Sequence, residues 1–454
     1  MLDLLITNGT IICPEKQECY RANLGIKGGK IALLTDQEQK ARQTLDAAGH
    51  YLAPGFIDIH LHENAFSAGE EASLNSLICA LKMGVTTAVD GNCGLNFMST
   101  DLGDYFTSLG RLDLPINYLS YIGYNFLRDK LGIPLHKNLD YEDFNRLLPM
   151  LAKNLEQGAC GVSFGLEYAP GITTEEMLWV GSYLANNHPD KLLAVHYRYD
   201  ANRSLEAIAE MIIVARETKS SLQVSHIGSC SAFGNMEIAL KMIKTAAKSE
   251  VDISADVYPY KAFCTFIGSE VFAPGCFERW NKGHESLLVV NGPYQGENCT
   301  MQLFQQLREE EPDTLVAASV MDSKEVELAV SHPDIFIASD GLATEEGGHP
   351  RVTGTFPRYL SKYVRDKELI GLPEAIKKIT LLPAEKLGLT NKGRISVGFD
   401  ADLTIFSLEK LEAKSTYQNP LKPPTGIKDV IVNGKPVIKS GEYQGGDGGG
   451  IIRI

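Results

Sequence analysis

The chain has 454 residues, a length that suits one large catalytic domain with a smaller accessory unit. Its 44% of hydrophobic and 22% of charged residues are typical of a globular protein with a substantial core. A formal net charge of −14 argues against a nucleic-acid partner, because phosphate binding needs clustered Lys and Arg. The charge does not exclude a small anionic substrate, which one buried arginine could bind.

The first residues (MLDLLITNGT) lack the basic flank and the apolar run of a signal peptide. No stretch of about eighteen apolar residues is present to span a bilayer, so we expect no membrane partner. The nine cysteines are an odd number without a framework spacing. We therefore predict a cytoplasmic protein with reduced thiols.

The two ends of the chain share a pattern of short strands separated by turns. Apolar pieces with turn signals such as Asn8-Gly9 occur before residue 53, and similar pieces occur from 391 to 444. This pattern predicts one small β-sandwich domain that is formed by residues 1–53 and 391–444. The last ten residues, 445–454, begin with a glycine-rich run and are predicted to be a flexible tail.

Between residues 54 and 390, runs rich in β-branched residues alternate with helical periodicity. Repeated βα units of this length fit a (β/α)8 TIM barrel, although a doubly wound sheet would show the same alternation. Residues 273–313 interrupt the pattern with Pro, Gly and two cysteines, and we interpret them as an inserted loop.

Side chains that can bind a metal ion stand at or just after the ends of the candidate strands. They are His60, His62, Cys93, His196, His226 and Asp340. In a TIM barrel the carboxyl ends of the strands converge on one rim, and imidazole and thiolate groups are the ligands that zinc prefers. The positions therefore predict a metal site at that rim.

Three groups of motifs carry a resemblance to a known family. Residues 54–62 (PGFIDIHLH) and 393–403 (GRISVGFDADL) resemble the opening and closing signatures of the amidohydrolase superfamily. Within that frame, residues 91–94 (GNCG), 196–198 (HYR), 225–226 (SH), 256–260 (DVYPY), 349–351 (HPR) and 354–358 (GTFPR) resemble the D-aminoacylase (N-acyl-D-amino-acid deacylase) family. The match runs in order over nearly the whole chain.

The resemblance implies a zinc-dependent hydrolase of a linear amide bond, most simply the deacylation of an N-acyl-D-amino acid. It implies one tight zinc ion on Cys93, His196 and His226, with His60, His62 and Asp340 around a second, weaker metal position. Zinc lowers the pKa of a bound water molecule to about 7 and so supplies hydroxide at neutral pH. Asp340 is then expected to act as the general base and acid.

Four further residues are candidates for contacts with the substrate. Residues that match Arg351 and Tyr258 hold the substrate carboxylate in the family, and Tyr168 could donate a hydrogen bond to the developing oxyanion. Arg198 is expected at the pocket wall or behind His196, where it would orient the ring.

Two positions depart from the family's carboxylate-binding residues: a lysine is replaced by Gly228 and a serine by Cys264. Lys261 could compensate for the lost cation. The departures keep other substrates open, including a cyclic amide (as in hydantoinases or dihydroorotases), a deaminase substrate or a dipeptide with a D-residue. A non-enzymatic barrel is the remaining alternative, and a homo-oligomer is allowed.

Overall fold

The computed structural model describes residues 1–66, 73–98, 101–344 and 347–454. The chain begins with seven short strands. They are β1 (Leu2–Thr7), β2 (Thr10–Cys13), β3 (Glu18–Arg21), β4 (Asn23–Lys27), β5 (Lys30–Thr35), β6 (Ala41–Asp46) and β7 (Tyr51–Pro54). The short strands predicted near the amino terminus are confirmed.

The middle of the chain alternates strands with helices. Its strands are β8 (Phe56–Asp58), β9 (Leu61–His62), β10 (Val85–Asp90), β11 (Asn117–Ser120), β12 (Ile122–Gly123), β13 (Gly161–Gly165), β14 (Leu192–His196), β15 (Ser221–Val224), β16 (Ile253–Val257), β17 (Phe263–Phe266), β18 (Leu287–Val289), β19 (Leu315–Ala318), β20 (Ile335–Ile337) and β21 (Gly341–Leu342). After residue 400 the chain returns to strands alone. They are β22 (Leu403–Phe406), β23 (Ile427–Val432), β24 (Lys435–Lys439) and β25 (Glu442–Tyr443).

The helices follow the strands of the middle segment. They are α1 (Asn75–Lys82), α2 (Leu102–Leu109), α3 (Tyr124–Lys130), α4 (Tyr141–Glu156), α5 (Thr174–Asn187), α6 (Ser204–Thr218), α7 (Ile227–Ser231), α8 (Met236–Lys248), α9 (Cys276–Trp280), α10 (Met301–Glu310), α11 (Ser323–Ser331), α12 (Arg351–Arg358), α13 (Leu372–Lys378) and α14 (Leu381–Lys386). Several begin where the sequence supplies a cap: Asp140 and Thr173 form capping boxes at α4 and α5. Among the described residues, no helix is long and apolar enough to cross a membrane.

Apart from β17, β18 and β19, the strands of the middle segment pair in parallel and follow one another in chain order. One sheet has the order β8-β10-β11 and another the order β12-β13-β14-β15-β16-β20. Since β11 and β12 are separated by Tyr121 alone, the two sheets continue into each other. The last strands also meet the first, because β21 pairs in parallel with β9 and the Asp340 amide donates to the His60 carbonyl at 2.7 Å. The protein is thus an α/β protein whose parallel strand ends face one region.

The two ends of the chain combine into neighbouring sheets. One sheet has the order β5-β4-β1-β6, and a second joins both termini in the order β25-β24-β23-β22-β7-β2-β3. Apolar residues from both sheets, including Ile6, Ile26, Leu52, Ile405 and Ile431, share one buried cluster. Strands from both ends of the chain therefore share one sheet and one apolar cluster.

Two expectations about irregular segments were wrong. The segment predicted as a loop at 273–313 contains α9, α10 and β18, and β18 lies with β17 and β19 in an antiparallel sheet. The carboxyl-terminal tail packs against the middle segment instead of remaining free. Ile451 forms a parallel bridge with Tyr118, and the Gly449 amide donates to the Leu114 carbonyl at 2.8 Å.

Candidate metal centre

Six side chains with metal-binding atoms are brought together at the carboxyl ends of the parallel strands. His62 and His196 are the last residues of β9 and β14, and the others follow β8, β10, β15 and β20. All six are buried: His60, His62, Cys93, His196, His226 and Asp340. The convergence follows from topology, since parallel neighbouring strands end at the same edge.

The ligand atoms form two overlapping groups. One contains His60, His62, Cys93 and Asp340, and the other contains Cys93, His196 and His226; within each group the atoms lie within 4.8 Å of one another. Cys93 Sγ is 3.3 Å from His60 Nε2 and 3.4 Å from His226 Nε2. Asp340 Oδ1 is 3.2 Å from His62 Nε2 and 3.4 Å from His60 Nε2. Because Cys93 belongs to both groups, the cluster offers two adjacent positions for a metal ion.

Unpartnered buried nitrogens test whether these residues fit a metal ion. His196 Nδ1 is such a nitrogen, because it is buried without a hydrogen-bond partner among the described residues, although buried polar atoms normally have one. The other nitrogen of His196, Nε2, lies 3.1 Å from Glu167 Oε2. The His226 ring is held in the same way, with Nδ1 2.8 Å from Ser229 Oγ. One nitrogen fixed by a neighbour and the other free is the usual arrangement of a metal-binding histidine.

Electrostatics also favour a cation at this position. Burial by itself would raise the pKa of Cys93, but the imidazoles of His60 and His226 hold that pKa well below its ordinary value. Burial would likewise raise the pKa of Asp340, yet Arg351 and then His60 hold it well below its usual range. A thiolate and a carboxylate among imidazoles form a donor set that suits zinc.

Arg351 lies beside the cluster and contacts Asp340. Its Nη1 is 2.8 Å from Asp340 Oδ2, its Nη2 donates to the Cys264 carbonyl at 3.3 Å, and its guanidinium stands 4.7 Å from the ring centre of Tyr258. Arg351 Nε is buried without a hydrogen-bond partner among the described residues. The arginine therefore keeps unused donor capacity next to the candidate metal position.

A cavity of about 560 Å³ opens from the cluster. Tyr168 and Cys264 line it together with Arg351, and both also line a second chamber of about 330 Å³ on the side of His196. The Tyr168 hydroxyl donates to Thr265 Oγ1 at 3.2 Å, and its ring centre is 4.6 Å from that of His196. Tyr258 lines the second chamber, and its hydroxyl has no hydrogen-bond partner among the described residues.

Arg198 and Lys261 lie outside the metal-binding cluster. Arg198 forms an ion pair with Glu210 at 2.9 Å and donates to the Ile172 carbonyl, so it does not orient His196. Lys261 is exposed and lines a separate cavity beside Met321, where it cannot replace the lost cation.

Three residues near the site were missed by the sequence reasoning. Glu167 holds His196, while Asp256 accepts the His226 amide at 2.8 Å and lies 3.5 Å from His60 Nδ1. His349 Nδ1 accepts the Arg351 amide at 3.0 Å. The position of Glu167 just after β13 was an available signal, because other functional side chains also follow strands.

Comparisons with known proteins fit this geometry. A sequence profile of the Amidohydrolase family matches residues 312–438. A D-aminoacylase from Alcaligenes xylosoxydans xylosoxydans is 28% identical over 478 residues, which cover 99% of this chain and 97% of the relative. A solved D-aminoacylase structure described by its binuclear metal centre, with one-metal activation and second-metal attenuation, has a TM-score of 0.89 at 26% identity and full coverage of both chains.

Part of the chain thus matches the Amidohydrolase family, and the whole chain is similar to proteins described as D-aminoacylases. The similarity to the D-aminoacylases extends over nearly the full length of both chains. A further similar structure is N-acyl-D-glutamate deacylase from Bordetella bronchiseptica, complexed with zinc and a phosphonate inhibitor that mimics the tetrahedral intermediate. It has a TM-score of 0.88 at 27% identity, again with full coverage of both chains.

Proposed function

We propose that the protein is a zinc-dependent hydrolase that removes the acyl group from an N-acyl-D-amino acid. One observation carries the proposal: the Cys93, His196 and His226 group shares its thiol with a second group that contains Asp340, and Asp340 is paired with Arg351. A cation site, a carboxylate base and an anion-binding guanidinium are thus adjacent. The full-length similarity to a D-aminoacylase and to a zinc-bound N-acyl-D-glutamate deacylase supports this function.

In this proposal Cys93, His196 and His226 hold the tight zinc ion. His60, His62 and Asp340 would hold a second, weaker divalent ion, and Cys93 belongs to both groups of ligand atoms. The unpartnered Nδ1 of His196 and the low pKa of Cys93 support the first assignment. The related D-aminoacylase, described by one-metal activation and second-metal attenuation, supports unequal roles for the two positions.

Asp340 is proposed as the proton-transfer group. A bound zinc ion would lower the pKa of a water molecule and polarise the amide carbonyl. The Asp340 carboxylate accepts a proton from the attacking water and returns it to the nitrogen of the leaving amine. Its depressed pKa keeps the carboxylate ionised at neutral pH, the form that can accept a proton.

Arg351, Tyr258 and Tyr168 are the proposed contacts with the substrate. The guanidinium of Arg351 offers parallel N–H groups that match a carboxylate, and the Tyr258 ring lies beneath it. The Tyr168 hydroxyl, next to His196, can donate to the oxyanion that forms at the carbonyl. Gly228 and Cys264 replace a lysine and a serine that bind the substrate carboxylate in the family. We therefore expect Arg351 to provide most of the binding energy for that carboxylate.

We also propose the finer architecture: a closed (β/α)8 barrel over residues 54–390 and a β-sandwich over 1–53 and 391–444. The pairing of β9 with β21 and the cluster shared by the terminal sheets support this reading. The substrate is a small carboxylate-bearing amide. The homo-oligomer and the cytoplasmic location remain predictions.

The experiment is a paired assay of N-acetyl-D- and N-acetyl-L-amino acids with a cyclic amide as a third substrate. The purified protein should cleave the D-derivatives, lose activity after treatment with a chelator and regain it with zinc. Preference for the L-derivatives or the cyclic amide, or full activity in a protein shown to be metal-free, would overturn the proposal.

A further inference from the structure

A long connection of the terminal sheet reaches the candidate active site. The strands β22 and β23 are antiparallel neighbours, yet residues 407–426 separate them; we call this segment the β22–β23 connection. Neighbouring antiparallel strands can be joined by as few as two residues, so the extra length is not needed for pairing. The contacts of the β22–β23 connection indicate the role of these extra residues.

The β22–β23 connection is bonded to the segment that carries Arg351. The Ser415 hydroxyl donates to the Pro350 carbonyl at 2.9 Å, and Thr353 Oγ1 donates to the Pro420 carbonyl at 2.6 Å. At Gly354 an added Cβ would stand only 2.6 Å from Ser415 Oγ, so the two segments are in close contact. The connection therefore fixes both sides of the first turn of α12.

One side chain of the connection leads directly to Arg351. Tyr417 Oη is 3.1 Å from His349 Nε2, and the two rings meet nearly edge to face, with centres 5.1 Å apart. The opposite nitrogen, His349 Nδ1, accepts the Arg351 amide at 3.0 Å. Tyr417, His349 and Arg351 thus form a continuous hydrogen-bonded series.

The protonation of His349 sets the direction of these bonds. Burial, followed by the charge of Arg351, holds the pKa of His349 well below its ordinary value, so the ring is neutral. Since Nδ1 accepts the Arg351 amide, the single ring proton resides on Nε2 and is donated to Tyr417 Oη. Tyr417 is the side-chain partner of this buried nitrogen among the described residues. Removal of its oxygen would leave the donor unsatisfied and the ring free to tilt.

We infer that Tyr417 is a positioning residue for substrate recognition: through His349 it holds Arg351 where the guanidinium meets the substrate carboxylate. The inference rests on the proposed function, in which Arg351 is the carboxylate ligand. Tyr417 itself does not touch the reacting atoms. The terminal sheet therefore contributes to the specificity of the barrel as well as to its stability.

The test compares a charged and an uncharged substrate that have nearly the same shape, N-acetyl-D-leucine and N-acetyl-D-leucinamide. In Tyr417→Phe we expect KM for the carboxylate to rise about tenfold, because a buried donor loses its partner. Its kcat should stay within about twofold, and kinetics with the amide should be unchanged. Gln418→Ala, an exposed neighbour on the same connection, is the matched control and should behave as wild type.

A double-mutant cycle with Arg351→Met makes the test specific. If Tyr417 acts through Arg351, its effect should vanish in the Arg351→Met background. A role in stability alone would lower the melting temperature and impair both substrates equally, which would overturn the inference, as would an unchanged KM for the carboxylate. A wild-type protein that cleaves neither substrate would instead overturn the proposed function itself, and the inference with it. An active enzyme that Arg351→Met leaves unaffected would overturn only the role of Arg351 and of its positioning residue.

Discussion

Three residues of the candidate metal centre have left-handed backbone conformations. The φ angles are 54° for Cys93, 34° for His226 and 49° for Asp340. Such a conformation costs a residue with a side chain about 1–2 kcal/mol, so together they use a noticeable part of a typical net stability of about 5–15 kcal/mol. Each follows a parallel strand and turns its side chain toward the others. Backbone strain of this kind is concentrated at functional sites.

At the same scale, Asp340 has two roles that a substitution can separate. Asp340→Asn keeps the size of the side chain but removes the proton acceptor, so we expect activity to fall about 10²–10⁴-fold. The tight zinc ion should remain, because Cys93, His196 and His226 are intact. Metal analysis and kcat on N-acetyl-D-leucine check this together. A variant with near-normal kcat would remove Asp340 from proton transfer.

The sequence predicted the functional residues that follow strands. It did not predict contacts between side chains that lie far apart in the chain. His60, Cys93 and Asp340 could be predicted because position on a parallel strand fixes the edge at which a side chain lies. Arg198 also follows a strand, but Glu210 on α6 draws it away, and no local pattern reveals that ion pair. The role of Tyr417 could not be predicted for the same reason, since its contact with His349 joins residues that are 68 positions apart.

At the level of elements, the inserted antiparallel sheet forms part of the wall of the cavity. Apolar residues from the sheet, from the loop after β10 and from β21 line one side of it: Leu95, Phe97, Phe266, Leu315 and Leu342. Among the described residues that line the same cavity, Arg351 is the one lysine or arginine, and Asp340 already offsets its charge. The neighbouring chamber adds the carboxylates of Glu167 and Asp200.

This distribution of charge predicts discrimination against a second carboxylate on the substrate. N-acetyl-D-glutamate and N-acetyl-D-glutamine have nearly the same shape, so their comparison isolates the charge. We expect kcat/KM at least about tenfold lower for the glutamate derivative, because its side-chain carboxylate would be desolvated without a cation. N-acetyl-D-leucine should exceed both. Equal or better turnover of the glutamate derivative would show that the cavity supplies a cation in some other way.

The inserted sheet illustrates why irregular elements escape prediction. Its strand β18 has three residues, too few for a period-2 pattern, and the surrounding Pro and Gly indicate a loop. The segment is a strand because it pairs with β19, and a pattern read over a few neighbouring residues cannot reveal such a distant pairing partner. The prediction for the carboxyl-terminal tail was wrong for the opposite reason. Its glycine content suggested a flexible segment, but Ile451 forms a parallel β-bridge with Tyr118.

At the scale of the whole molecule, the terminal sheets and the middle segment are mutually dependent. The seven-stranded sheet takes strands from both ends of the chain, and its β22–β23 connection reaches the segment with Arg351. Alternating strands and helices could be read from the sequence, but alternation alone fits a doubly wound sheet as well as a barrel, and the pairing of β21 with β9 is a long-range contact that no local pattern specifies. That pairing brings residues from 60 to 340 around one point.

The central claim is that Cys93 binds zinc as a thiolate together with imidazoles. X-ray absorption at the zinc edge tests it most directly, since a zinc–sulfur distance of about 2.3 Å differs from the zinc–nitrogen distance of about 2.0–2.1 Å. We predict one sulfur neighbour in the wild-type protein and in Cys264→Ser, a control that removes a different thiol of the same cavity. We predict loss of that neighbour in Cys93→Ser. A zinc environment of nitrogen and oxygen alone in the wild-type protein, or a sulfur neighbour that survives in Cys93→Ser, would contradict the account.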